Sequence, residues 1–227
     1  MTLEEFKAKF VRLKHKGYVR SQRKGPTGVG HTLEVELGLD ENNIAEPDLE
    51  KVELKAHRTT SHNLITLFTF NRKAWQIPPL EAIKKYGSLD KNDRLGLYYT
   101  MSLKPNSAGL FLNVTDDMIQ IQHISGEVIA RWMIDAIAER FRTKIPAMIF
   151  VSAFNEKRDG IEYFHYYRAQ LLQDTSPDVL ANQFREENIL LDLRLHDRGT
   201  RARNHGTAFR AYENKLPTLF RKIEEID

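Results

Sequence analysis

The sequence predicts a mixed α/β (α+β) fold, a central mixed sheet flanked by helices. Three observations carry that expectation. Val52-Glu53-Leu54-Lys55-Ala56 alternates apolar and charged residues, the period of a half-buried strand. Residues 147–153 form a continuous apolar run, as a strand buried on both faces does. Leu3, Phe6, Phe10 and Leu13 make an apolar stripe behind a Thr2–Glu5 capping box, the mark of an amphipathic helix.

In chain order, the first helix is expected to stop at Gly17 and lead into a glycine-containing loop, 21–30. A short helix follows over roughly 32–39, then a polar loop to the central strand, whose start is set by Pro47. Residues 63–70 read as a strand pairing with the central one, and 79–86 as a helix ended by Gly87. Segments 95–103, 109–114, 118–123 and 128–132, separated by Gly, Asn and Asp turns, form an antiparallel meander. A helix at 134–141 precedes the buried strand. A long strand over 161–172 carries Tyr163, Phe164, Tyr166 and Tyr167 on both faces. Ser176 caps a helix to Arg185 with Pro177 at its first position. Residues 189–195 form a strand, 196–205 a basic loop, 206–211 a last strand and 213–223 a closing helix. There are no repeats and no linker, so 227 residues are read as one domain.

Composition excludes several classes. No run of 18 apolar residues exists, so no membrane-spanning helix is expected. The first residues do not resemble a secretory leader, and no cysteine supplies a disulfide or thiolate site, which together suggest a cytoplasmic protein. Net charge is only +3, but Arg12 to Lys24 carries six Arg and Lys and no acid. Arg194, Arg198, Arg201, Arg203 and Arg210 stand against Asp197 alone, while 34–53 is acidic. Basic flanks around an acidic centre suit a polyanion partner and a cation at the chemistry.

The acidic centre holds the sharpest motif. Asp48 follows Pro47 at the strand's start, and Glu53 and Lys55 project from one face roughly 6.5–7 Å apart. Two carboxylates, the intervening Leu54 carbonyl and a lysine form the pattern of a magnesium-dependent nuclease centre, since Mg²⁺ takes oxygen ligands and keeps several waters. Acid-x-Lys alone is common, and Glu5-Phe6-Lys7 and Glu213-Asn214-Lys215 repeat it without a partner acid. Only 47–55 joins Pro-Asp, strand period and triplet. A second motif competes: Gly25 to Thr32 is a Walker A phosphate loop except that His31 stands where its lysine should be, and no buried apolar strand precedes it. It also fits a loop that binds a DNA phosphate through its amides.

Together these segments resemble the MvaI/BcnI family of type II restriction endonucleases, within the PD-(D/E)XK nuclease superfamily and related to the nickase MutH. The resemblance rests on Arg23 to Gly30, Thr32-Leu33-Glu34, Pro47-Asp48, Val52 to His57, Leu64 to Thr69 and His205 to Arg210, in the family's order. It implies a monomer, a catalytic lobe over about 1–150 and recognition elements within about 151–227, clasping double-stranded DNA. It implies Mg²⁺, one or two ions, and cleavage of a short G·C-rich pseudopalindrome by nicking each strand in turn. Catalytic roles fall on Asp48, Glu53, Lys55 and Glu34, with the metal on Asp48, Glu53 and the Leu54 carbonyl. DNA contacts fall on Arg23, Lys24, Thr27, His57, Arg58, Arg194, Arg198, Arg203, Asn204, His205 and Arg210. Where the family reads bases with His-Asp, this chain offers either Arg203-Asn204-His205 or His196-Asp197-Arg198. The alternatives are a partner-directed MutH-like nickase, a DNA-binding module with an inactive metal site, or a nucleotide-binding protein; the resemblance implies no nucleotide cofactor and no membrane.

Overall fold

The computed structural model describes residues 1–39, 44–46, 49–71 and 73–226. The chain forms two compact units and crosses between them repeatedly. One holds residues 1–63, 145–175 and 213–227; the other holds 64–144 and 176–212.

The first unit is a six-stranded mixed sheet with two helices on one face. Its elements are α1 (Leu3–Lys16), β1 (Val19–Arg20), α2 (Gly28–Leu37), β2 (Ile44–Glu46), β3 (Leu49–Arg58), β4 (Ala147–Arg158), β5 (Ile161–Gln173) and β6 (Lys222–Ile226). The order is β1-β5-β4-β3-β2, with β6 on β5 beside β1. β3 and β4 run parallel, Val52 opposite Ala147 and Arg58 opposite Ala153, and the other pairs are antiparallel. Val52, Leu54 and Ala56 bury against Phe6, Phe10, Leu33 and Leu37 of the helices. Thr2 and Glu5 form the expected capping box. α2 begins at Gly28, four residues earlier than expected, because Gly28 and Gly30 are already helical.

The second unit contains the expected meander, strands Leu110–Val114, Met118–His123 and Val128–Met133. A four-stranded sheet orders Leu64–Thr69, Ala208–Tyr212, Ile189–Asp192 and Thr100–Met101. Another orders Ala202–Asn204, Leu195–Asp197, Leu95–Leu97 and Ser88–Leu89. Phe68, Phe141, Trp132, Phe184 and Phe209 form an aromatic core of stacked and edge-on pairs.

Four expectations are corrected. The strand after the central one pairs with Ala208–Tyr212, not with β3. The expected strand 95–103 breaks into two short strands in different sheets. The basic loop 196–205 is a hairpin, Leu195–Asp197 against Ala202–Asn204. The closing helix is a 3-10 turn, Glu213–Leu219, containing Pro217, and the chain then enters β6. Proline withholds the amide an α-helix needs, and the open edge of β5 takes up residues 222–226 as a strand.

Candidate active site

β3 presents its charged row as the alternation requires. Lys55 Nζ lies 3.5 Å from Glu53 Oε1, and the side chains are 34% and 37% exposed. The parallel register sets buried Met148 beside Glu53 and buried Phe150 beside Lys55, apolar neighbours on the adjacent strand. The ladder also gives the direction of the Leu54 carbonyl. Thr59 N–H donates to the Ala153 carbonyl at 2.9 Å, so odd-numbered peptide groups of β3 face β4 and even-numbered ones face away. Among the described residues β2 lies along that outer edge with Ile44 opposite Val52, and the Leu54 carbonyl points to the same side.

An accessible carboxylate and an edge carbonyl are hard oxygen donors, a set that fits Mg²⁺. Pro47 and Asp48, the other half of the motif, lie outside the described residues. Among the described residues no group of three His, Asp or Glu side chains gathers round one point. Glu34 sits on α2, in the helix layer over the opposite face of the sheet. Its ion-pair partner is His31, at 3.8 Å, and among the described residues it makes no ion pair with Lys55.

His57 and Arg58 end the strand, and both side chains are engaged within the protein. His57 is 5% exposed, stacks on Phe150 with ring centroids 4.4 Å apart, and meets Ser152 Oγ at 2.9 Å. Burial pushes its pKa down to about 4, so the ring is neutral and fastens β3 to β4. Arg58 forks onto Glu162, with Nε and an Nη each 2.7 Å from a carboxylate oxygen. It also donates to the carbonyls of Gly25 and Pro26, both at 3.0 Å. Arg58 thus ties the glycine-rich loop to the sheet.

That loop packs closely. A Cβ on Gly28 would stand 2.4 Å from the Arg23 carbonyl oxygen, and Tyr166 Oη donates to the Val29 carbonyl at 2.7 Å. Arg23, Lys24 and Thr27 are exposed. Arg20, Arg23, Lys24, Arg58 and Lys157, with Asp159 and Glu162, line a cleft of about 670 Å³ beside the loop. Lys157 was not singled out from sequence, because only the β4–β5 hairpin brings it to the loop. The loop is preceded by the two-residue edge strand β1, not by the buried strand of a nucleotide-binding phosphate loop.

The second unit answers which basic residues are accessible. His196 is 2% exposed, whereas Arg198, Arg201, Arg203 and His205 are exposed on the hairpin. His196 pairs across the strands with Arg203. Asp197 accepts from Gly199 N–H at 2.5 Å, and Asn204 Oδ1 from Gly206 N–H at 2.8 Å, so both brace turns. Arg194 donates to the Gly206 carbonyl at 3.2 Å. Arg210 bridges Asp192 and the Leu64 carbonyl, each at 2.6 Å, inside the sheet. Of the DNA contacts expected in this unit, Arg198, Arg203 and His205 keep accessible side chains; Arg194, Asn204 and Arg210 hold the fold. Arg201, counted in the same basic run, joins the accessible set.

Solved structures similar to this chain include the restriction endonuclease MvaI in complex with its cognate DNA substrate, at TM-score 0.66 and 23% identity, covering 99% of this chain and 98% of that one. MvaI in the absence of DNA matches at TM-score 0.66 and 22% identity, covering 99% and 97%. At such identity the likeness establishes the fold. No curated protein matches the sequence. The family model described as the MvaI/BcnI restriction endonuclease family matches residues 7–220. With nearly the whole sequence inside that match and the fold in agreement, the chain belongs to the MvaI/BcnI restriction endonuclease family, type II enzymes that act on DNA.

Proposed function

We propose that the protein is a Mg²⁺-dependent endonuclease that cleaves duplex DNA at a short G·C-rich pseudopalindromic site. The observation that carries this reading is the row on β3: Glu53 and Lys55 in contact, with the Leu54 carbonyl turned to the edge away from β4. Asp48, Glu53 and the Leu54 carbonyl would hold the ion. When bound, Mg²⁺ supplies a more acidic water and a positive charge against the phosphate. Lys55 orients the attacking water and offsets charge on the scissile phosphate. Glu53 fixes the lysine's position as well as offering oxygen. Arg23, Lys24 and Thr27 grip the backbone near the cut, and Glu34 acts from the helix layer as an additional acid.

The unit holding β3 carries the chemistry, and the unit holding the basic hairpin reads the DNA. One such centre per monomer cuts one strand, then rebinds in the opposite orientation to cut the other. No helix among the described residues is long and apolar enough to cross a membrane. The test is digestion of a long unmethylated DNA of known sequence by purified protein, with Mg²⁺ and with EDTA. Discrete fragments with Mg²⁺ alone are expected, and end-mapping gives the site and stagger. Nicked circles as the final product would replace this reading with a single-strand nickase. Bound but intact DNA would leave a binding module.

A further inference from the structure

On the basic hairpin, the strand Leu195–Asp197 lies beside Leu95–Leu97, with Gly96 opposite His196. Tyr98 follows that strand, and its ring lies over Gly96. A Cβ on Gly96 would stand 2.5 Å from Tyr98 Cε2 and 2.7 Å from the Leu195 carbonyl oxygen, so only glycine leaves room for the phenol. The ring runs alongside the His196 imidazole, centroids 6.3 Å apart and planes 21° apart. Tyr98 Oη is 2.8 Å from His196 Nδ1, and Arg198 Nε is 3.2 Å from His196 Nε2.

Those two contacts determine where the protons are. An arginine Nε–H only donates, so Nε2 of His196 must accept. The imidazole's one proton is then on Nδ1, which donates to Tyr98 Oη. Burial, and the positive charges of Arg94 and Arg198, lower the His196 pKa and keep the ring neutral. Tyr98 Oη is therefore an acceptor toward His196, and its own hydrogen is left to donate elsewhere. Among the described residues it has no acceptor, and Tyr98 is 41% exposed, with exposed Arg198 bonded to His196 and exposed Arg203 across from it.

We propose that Tyr98 is a specificity-determining residue whose hydroxyl donates to an acceptor on a DNA base edge, with His196 as the positioning residue that aims it. This rests on the endonuclease reading above. The surrounding arginines already supply the charge that phosphates select. A neutral donor of fixed direction adds discrimination, because purine N7, guanine O6 and thymine O4 accept where amino groups do not.

The experiment compares wild type, Tyr98→Phe and His196→Asn. After the wild-type site is mapped, competition binding with Ca²⁺ in place of Mg²⁺ sets the cognate duplex against every single-base-pair variant of it. Tyr98→Phe keeps the ring and removes the donor. The preference at one base pair is expected to fall about tenfold, with the other positions retained. His196→Asn is expected to weaken preference at that same base pair, with an unchanged melting temperature marking an intact fold. Wild-type discrimination at every position, or equal weakening on all duplexes, would overturn the proposal and make Tyr98 respectively a bystander or a phosphate contact. If wild type yields no site-specific fragments, the endonuclease reading fails first and takes this proposal with it.

Discussion

At the level of single residues, Glu53 and Lys55 were legible because strand period is a local property, and two residues apart means one face. Lys55→Ala is expected to leave duplex binding within a few-fold and to lower single-turnover cleavage by at least about a thousandfold, the scale of losing a group that acts on the attacking water. Cleavage within tenfold of wild type would remove Lys55 from the chemistry. How His57 and Arg58 are held was not legible, because sequence displays a charge without its partner. Glu162 lies 104 positions further along and Phe150 on the neighbouring strand. Glu34 kept its helix, and its role as an additional acid, like Asp48, remains an expectation from the motif. Tyr98 escaped notice altogether, since its role depends on a glycine beneath it and a histidine from a distant strand.

At the level of elements, capped helices and the buried strand read correctly, because caps and apolar runs are written in adjacent residues. The closing segment did not. Nothing local in Lys-Ile-Glu-Glu-Ile distinguishes a helical turn from an edge strand, and pairing with β5 decides it. The glycine-rich loop shows the same dependence, since its conformation rests on Arg58. Hydrogen bonding from Arg58 holds the Glu162 carboxyl below the usual carboxylate range and raises the guanidinium's pKa. Arg58→Ala strips a largely buried carboxylate of its fork and the Gly25 and Pro26 carbonyls of their donors. Urea unfolding is expected to show a loss of about 2–3 kcal/mol. Arg58→Lys should recover only part of it, because an ammonium cannot form the planar fork. If Arg58→Ala instead leaves stability unchanged and lowers the salt dependence of DNA binding, the side chain is a phosphate contact after all.

At the level of the molecule, the interleaving of two units was invisible to a linear reading, because a chain that leaves one unit at residue 63 and returns at 145 carries no composition change there. A property of the whole fold arises from its titrating groups. The acidic and imidazole groups with perturbed pKa values all move the same way: His57 and His196 are lowered by burial, Glu162 by Arg58 and Glu225 by Arg168. A folded pKa below the unfolded one means the unfolded chain binds more protons across the interval, so stability rises with pH there. For His57 the contribution is complete above the ordinary imidazole value near 6.5 and is lost as pH falls toward about 4. The carboxylates extend the loss below their ordinary range, about 4. Between pH 7.5 and pH 5.0, His57 alone is expected to remove about 2 kcal/mol of unfolding free energy. Urea titrations at the two pH values measure that difference, and His57→Gln, which cannot titrate, should shrink it by the same amount. An identical pH difference in the variant would mean that the imidazole is not held neutral between β3 and β4, and that its contact with Ser152 survives protonation.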